Sequence, residues 1–353
     1  MASHGCAALF ADLIGQSGAV ALLSASLEQG RLAPAYLLAG PDGVGRRLAA
    51  LRFLEGVLAG PGGDLAVRRR LQAGNHPDLL WVEPTYQHQG RLVPASQAQD
   101  EGVNRRTPPQ LRLEQVRELS RFLARRPVEA RGCLVVIEAA EAMAEAAANA
   151  LLKTLEEPGD GLLLLITAAP DQLLATIRSR CQTVRFNRLP PEALQRVLQS
   201  VQPTEAEVTE AQVTEAEAAV PLSDPPELLE LAAGSPGALL AHRRQWQQLP
   251  AALVEQLQQL ASSPAALAAC PPLELLTLAS QISADLDGEQ QLWLLQWWQL
   301  LLWRQGSGQA VIERLNRLRS QLLAYVQPRL AWEVALLDLA QLALACCERS
   351  RAS

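Results

Sequence analysis

Residues 134–186 read LVVIEAAEAMAEAAANALLKTLEEPGDGLLLLITAAPDQLLATIRSRCQTVRF. This stretch contains three short apolar runs, and two similar runs precede it. The segments between the runs have helical spacing, which predicts a helix over 140–157. The five runs are 35–39, 79–82, 134–137, 162–167 and 183–186. Runs that are apolar on both faces and alternate with helices are typical of a parallel sheet that is covered by helices on both sides. The sequence therefore predicts an α/β domain with a five-stranded parallel sheet.

The pattern changes to helices only after Phe186. A Glu-rich tract at 204–220 carries no basic residue and too little apolar surface to form a core, which predicts an insert. Six of the seven tryptophans lie beyond residue 240, in a region of amphipathic helical spacing. These changes predict three domains: an α/β domain at 1–187, a small helical domain at 188–240 and a larger helical domain at 241–353.

The composition is that of a core-forming protein with no basic excess. Of the 353 residues 49% are hydrophobic, and the net charge is −6. A protein whose main task is to grip the DNA backbone usually carries a positive balance, so we expect DNA contact to be shared with partners. The six cysteines form no C-x-x-C pair, which argues against zinc and predicts reduced thiols in the cytoplasm. No leader segment is visible, and the apolar segment 292–303 is too short to cross a membrane.

The segment 40–47 has the glycine frame of a phosphate-binding loop, G-x-x-x-x-G-K-[ST]. In working loops the Lys reaches the β- and γ-phosphates and the hydroxyl ligates magnesium. Arg46 and Arg47 stand at these two positions, and a guanidinium has no lone pair for a metal. We therefore expect a degenerate loop without ATP turnover or a magnesium ligand. Its residues are Gly40, Pro41, Asp42, Gly43, Val44, Gly45, Arg46 and Arg47.

The apolar run 134–137 is followed by Glu138 and Ala139. Enzymes that hydrolyse ATP need an acidic residue for magnesium here and a carboxylate that activates water next to it. Glu138 occupies the first position, but the methyl group of Ala139 cannot act as a base. Two independent catalytic elements are thus incomplete, which predicts that hydrolysis is not the task of this chain.

Several segments together resemble the clamp-loader branch of the AAA+ ATPases. The most distinctive are NALLKTLEEP at 149–158 and Ser179-Arg180-Cys181, supported by FADLIGQSGAV at 10–20, PAYLLAGPDGVGRR at 34–47 and GNHPDLLWVEP at 74–84. The resemblance is strong over about 10–190 and weak beyond Gly234–Leu239. It implies an AAA+ RecA-like domain, a helical lid and a helical collar.

The resemblance also implies a function. Clamp loaders of bacterial DNA polymerase III, a nucleotidyltransferase complex, are five-membered rings with delta and gamma or tau subunits. They open the sliding clamp and load it on primed DNA. A non-hydrolysing member would supply Arg180 as an arginine finger in trans, with Ser179 and Cys181 positioning the turn. Thr167 would occupy the first sensor position, and Gly237 with Ala238 leave the second sensor without its arginine.

Several alternatives stay open. From the residues alone, Arg178 and Arg180 are either surface charges or interface arginines. The tryptophans at 293, 297, 298 and 303 either pack against the collar helices of partner subunits or fill the chain's own core. An autonomous ATPase of the same superfamily, such as a gamma-type subunit or a helicase loader, predicts turnover by the isolated chain. A DNA-binding regulator on the same fold predicts salt-sensitive DNA binding. The zinc module that relatives carry within 55–73 is expected to be absent, and 86–109 reads as an insertion.

Overall fold

The structure is a computed structural model that describes residues 4–98, 100–103, 108–157, 159–201, 225–324 and 326–352. The Glu-rich tract 204–220 lies outside the described residues. The chain divides into two compact units. The first contains the sheet, the helices up to residue 201 and the turn Gly234–Gly237, and the second contains helices only. The three-domain division stays a prediction.

A five-stranded parallel sheet forms the centre of the first unit, in the order β2-β5-β6-β1-β7. Its strands are β1 (Ala35–Ala39), β2 (Leu79–Val82), β5 (Leu134–Ile137), β6 (Leu162–Thr167) and β7 (Gln182–Arg185). The first four have the predicted bounds, and β7 begins and ends one residue earlier than predicted. The predicted fold class is confirmed.

The sheet is buried on both faces because alternate side chains of its strands enter two separate cores. Leu38 and Val136 belong to one core and Leu37 and Val135 to the other. Helices α1 (His4–Leu9), α2 (Ser17–Glu28), α3 (Arg46–Ala59) and α8 (Pro191–Val201) contribute to the first core. Helices α5 (Leu113–Leu123), α6 (Glu145–Glu156) and α7 (Ala175–Arg178) contribute to the second. Helix α4 (Leu65–Gln72) adds Leu71 to the first core. It is capped by Asp64, whose carboxylate accepts the N–H groups of Ala66 and Val67.

Helix α6 begins five residues later than its apolar pattern predicts. The backbone of Leu111 donates to Ala142 O at 2.9 Å and accepts from Ala144 N–H at 3.0 Å. This pairing holds Met143 in an extended conformation. Met143 separates α6 from a single 3₁₀ turn at Ala140–Ala142, so the two do not form one continuous helix. The prediction of a helix from residue 140 was wrong because a contact distant in the chain competes with the local pattern.

The expected insertion 86–109 is in part an antiparallel hairpin. Its strands are β3 (Thr85–His88) and β4 (Arg91–Pro94). Thr85 also pairs with Gln110, which ties the base of the hairpin to the start of the segment that leads into α5.

The second unit consists of eight helices in the part of the chain that the structure describes. They are α9 (Pro226–Ala232), α10 (Pro236–Gln248), α11 (Ala251–Ala261), α12 (Pro264–Ala269), α13 (Pro272–Asp285), α14 (Gly288–Arg304), α15 (Gln309–Leu323) and α16 (Pro328–Ala352). Trp293, Trp297 and Trp298 of α14 are buried in this unit's own core, and Trp246 packs edge-on against two of them. Trp303, by contrast, is 67% exposed.

One helix among the described residues is long and apolar enough to cross a membrane, namely α16 over Pro328–Glu348, with a mean hydropathy of 1.6. One third of that window is buried inside the protein. Trp332, Leu336 and Leu339 are fully buried where α16 packs against α12, α13 and α15. Helix α16 thus buries part of its apolar surface within its own unit, and a single helix of this length and composition is weak evidence for a membrane span.

Candidate nucleotide loop and exposed arginine

The loop, the acidic strand end and the first sensor position lie together at the carboxyl edge of the sheet. β1 ends at Ala39, which is in register with Thr167 at the end of β6. Gly40 N–H donates to Thr167 O at 3.2 Å. Glu138 directly follows β5, the neighbour of β6. In parallel α/β sheets this edge is where ligands bind.

Two glycines give the loop its path from β1 to α3. A side chain at Gly40 would place its Cβ 2.3 Å from Phe186 O, so the backbone approaches too closely for any other residue. Gly45 has a φ of +102°, in the left-handed region that glycine enters without strain. Arg46 then opens α3. The loop thus has the strand–loop–helix connection of a phosphate-binding loop.

Arg46 is turned back into the loop. Its side chain is 7% exposed, and its Nη2 forms an ion pair with the carboxylate of Asp42, four residues earlier. Its Nη1 is buried without a hydrogen-bond partner among the described residues. The positive charge that would meet a phosphate therefore already has an acidic partner within the loop.

Arg47 crosses to the neighbouring strand end. Its Nη1 lies 2.8 Å from Glu138 Oε2, and its guanidinium stacks 4.6 Å from the centroid of the Trp81 ring. Trp81 Nε1–H donates to the same Glu138 oxygen at 2.8 Å. The carboxylate at the magnesium position is therefore engaged by two donors of its own chain. Asp42 was named only as a residue of the loop, and Trp81 lies outside the motif, so neither of these contacts was predicted from the sequence.

The two sensor positions carry structural contacts. Thr167 is fully buried, and its hydroxyl accepts Ala169 N–H at 3.2 Å. In the turn Gly234–Gly237, Ser235 Oγ donates to Asp42 O at 2.6 Å, and Gly237 N–H donates to Gly43 O at 3.0 Å. This turn packs directly against the loop: a Cβ at Gly237 would lie 2.6 Å from the Gly43 Cα.

The two arginines that precede β7, Arg178 and Arg180, contact different groups. Arg178 pairs with Asp171 at 2.9 Å and lines a cleft of about 680 Å³ beside Gly40 and Pro41. Arg180 is not among the residues that line this cleft. Its side chain is 36% exposed, and its two partners, Glu156 and Thr176, also lie outside the lining of this cleft.

The contacts of Arg180 hold the turn together. Its Nη1 donates to Thr176 O at 3.0 Å and its Nη2 lies 2.7 Å from Glu156 Oε1. Ser179 Oγ donates to the same carbonyl at 3.1 Å. Burial raises the pKa of the Cys181 thiol to about 11, so this sulfur is a neutral packing group. Glu156 is a contact that the sequence analysis missed.

No group of three or more His, Cys, Asp or Glu side chains within the described ranges is arranged to hold a metal ion. Within the segment 55–73, Glu55 and Arg68 form an ion pair at 2.8 Å. The expected absence of a zinc module there stays a prediction.

The sheet order and the strand–loop–helix at its carboxyl edge define an AAA+ ATPase fold with a RecA-like core. A family model described as "DNA polymerase III, delta subunit" matches residues 15–190, and one described as "Cyanobacterial DNA polymerase III delta prime, C-terminal domain" matches residues 192–339. Together they span most of both units. The chain belongs to the delta-prime family of DNA polymerase III subunits.

Similar proteins agree with this assignment. DNA polymerase III subunit delta' of Bacillus subtilis is 34% identical over 220 residues, which cover 60% of each chain. The delta' subunit of Pseudomonas aeruginosa is 38% identical over 156 residues, or 42% of each chain. The matched regions thus span less than two thirds of these relatives. The match to a solved gamma-subunit-related protein of DNA polymerase III from Thermotoga maritima covers 91% of this chain and 99% of that one, at 17% identity and a TM-score of 0.48.

Proposed function

We propose that this chain is a clamp-loader subunit that does not hydrolyse ATP and donates Arg180 to the ATP site of a neighbouring gamma or tau subunit. Its ring would hold five subunits, including delta, and would load the sliding clamp on primed DNA in the cytoplasm. The second unit would supply the collar. The observation that carries the proposal is the engagement of both loop arginines by carboxylates of the same chain.

The loop geometry argues against turnover by this chain. Magnesium ATP would have to displace Arg46 from Asp42 and Arg47 from Glu138. Neither arginine offers the oxygen that magnesium needs, and Ala139 supplies no base. The competing function, an autonomous gamma-type ATPase, draws support from gamma/tau relatives such as that of Mycobacterium tuberculosis, 31% identical over 201 residues. The loop chemistry favours the non-hydrolysing subunit.

The position of Arg180 supports a role in trans. An arginine finger that acts in trans contacts a nucleotide held by another subunit. Its side chain must therefore be exposed, its backbone must be fixed, and it must not be engaged by the nucleotide loop of its own chain. Arg180 is partly exposed, follows a short helix that is packed through the buried Ile177, and lies outside the cleft beside its own loop. Arg178, two residues earlier, faces that cleft and is the natural comparison.

The proposal predicts that Arg180→Ala lowers ATP hydrolysis in the complex reconstituted with delta and gamma or tau. A finger contributes about 10³–10⁵ in rate at one site. The total loss is smaller because the other sites keep their own arginines. Steady-state ATPase assays measure the effect, with Arg178→Ala as the matched control that keeps its rate.

Titration of the isolated chain with magnesium ATP tests the other half of the proposal. We expect no turnover by the isolated chain. Brisk hydrolysis by the purified chain would reject the non-hydrolysing role in favour of the autonomous ATPase. Unchanged clamp loading by Arg180→Ala would remove Arg180 from the mechanism.

A further inference from the structure

Glu156, the last residue of α6, is the acidic partner of Arg180. Its Oε1 lies 2.7 Å from Arg180 Nη2, and both side chains are partly exposed. The second anchor, Thr176 O, binds Nη1 from the opposite arm of the guanidinium at 3.0 Å. The two anchors lie on different segments, α6 and α7, and so fix both the position and the plane of the group.

The guanidinium of Arg180 has N–H donors that neither anchor uses. A guanidinium carries five N–H groups, and each anchor uses one of them. Three N–H groups of Arg180 therefore stay available for phosphate oxygens. A partner nucleotide can be contacted without first breaking the ion pair with Glu156.

Holding the guanidinium in advance reduces the cost of the contact. A long, flexible arginine loses rotamer freedom when it is immobilised, and anchoring it before the partner arrives removes that loss from the catalytic step. The location also favours the guanidinium of Arg180, because it binds at the C-terminal end of α6, where a cation is stabilised.

We infer that Glu156 is a positioning residue, which holds Arg180 in the orientation in which it meets the phosphate of the neighbouring subunit. This inference rests on the proposed function of Arg180. Glu156 acts through the side-chain oxygen that accepts the hydrogen bond from Arg180. Glutamine keeps such an oxygen, so Glu156→Gln should preserve most of the effect.

The test compares Glu156→Ala, Glu156→Gln and the control Glu157→Ala in the reconstituted complex. Its gamma or tau subunits carry alanine in place of their own fingers, so the remaining turnover depends on Arg180. Glu157 is the next residue, is also exposed, and is not a partner of Arg180. We expect Glu156→Ala to lower kcat about two- to five-fold, as expected for an exposed ion pair. The KM for ATP stays unchanged because another subunit holds the nucleotide, and Glu156→Gln and Glu157→Ala keep most of the rate.

The outcomes separate this inference from the proposed function. If Arg180→Ala abolishes the remaining turnover while Glu156→Ala has no effect, positioning by Glu156 is wrong and the finger stands. A faster Glu156→Ala complex would mean that the carboxylate restrains the finger, and it would also overturn the inference. If Arg180→Ala is itself without effect, the proposed function fails. Thermal unfolding of each variant shows whether the fold is intact.

Discussion

Arg46 and Arg47 are adjacent in the sequence and have different partners. Arg46 is buried against Asp42 within the loop, whereas Arg47 reaches Glu138 and stacks on Trp81. Each replaces a residue that a working loop needs, and each neutralises a carboxylate at the same edge of the sheet. The two carboxylates at this edge of the sheet are therefore neutralised by arginines of the same chain.

Cys181 and Cys346 differ in reactivity for a physical reason. With a pKa of about 11, the Cys181 thiol is ionised in about one part in a thousand at pH 8. Cys346 is exposed on α16. We predict that iodoacetamide modifies Cys346 in the native protein and spares Cys181, which reacts only after unfolding. Peptide mass spectrometry distinguishes the two, and native labelling of Cys181 would contradict the prediction.

Asp78 anchors the segment that leads into β5. It accepts the N–H groups of Val128, Glu129 and Ala130 at 2.7, 2.7 and 2.8 Å. Burial raises the pKa of this carboxyl, but the three hydrogen bonds outweigh it and lower the pKa below its ordinary value of 3.8. Its stabilisation is therefore complete above the ordinary pKa and is lost as the pH falls through the lowered native value.

Replacing Asp78 should expose this dependence. Asp78→Asn replaces one acceptor oxygen with an NH2 group, so at least one of the three partly buried N–H groups loses its acceptor. We expect a loss of about 1–3 kcal/mol in the free energy of unfolding at pH 7. The difference from the parent protein should shrink below pH 3.8. Urea denaturation at several pH values measures it, and a difference that does not change with pH would refute the role of the carboxylate.

At the scale of elements, α4 is fastened to α3 by a buried carboxylate. Glu55 is 1% exposed, pairs with Arg68 at 2.8 Å and accepts Asp64 N–H at 3.1 Å. Arg52 approaches the same carboxylate at 3.6 Å. The charge buried on α3 is therefore met by donors from the loop and from α4.

We predict that Arg68→Met loosens α4. Removing one partner from a buried pair is costly, and since Glu55 keeps other donors we expect a loss of about 2 kcal/mol. Amide hydrogen exchange of residues 65–72 should accelerate while the strands keep their protection. Arg69→Met, which changes an exposed arginine of the same helix, serves as the control. Equal exchange in both variants would count against the ion pair.

At the scale of the whole molecule, the tryptophans divide by role. Trp297 is fully buried in the second unit, and Trp303, on the same helix, is exposed. Trp297→Ala should cost about 3–5 kcal/mol, as large-to-small changes in cores do. Trp303→Ala should change the stability of the isolated chain by less than about 0.5 kcal/mol. Denaturation followed by circular dichroism tests both, and a large effect of Trp303→Ala would show that this side chain serves the chain's own core.

Apolar patterning alone was enough to predict the sheet. Four strands have the predicted bounds and β7 differs by one residue, because continuous apolar runs between helical segments leave few other ways to bury both faces. The missing lysine, hydroxyl and base were likewise readable, since the loop motif is contiguous. Whether a contiguous motif contains the residue types that it needs can be read directly from the sequence.

Only the tertiary structure decided which groups meet. The ion pair of Arg47 with Glu138 joins residues 91 apart, and that of Arg180 with Glu156 joins residues 24 apart. The start of α6 was set by pairing with Leu111, against its own helical pattern. Local periodicity reports how a segment buries its apolar side, but it carries no information on the direction in which a long, charged side chain crosses the edge of a sheet. The physical reason is that such contacts depend on strand order, which brings distant residues together only when the sheet has formed.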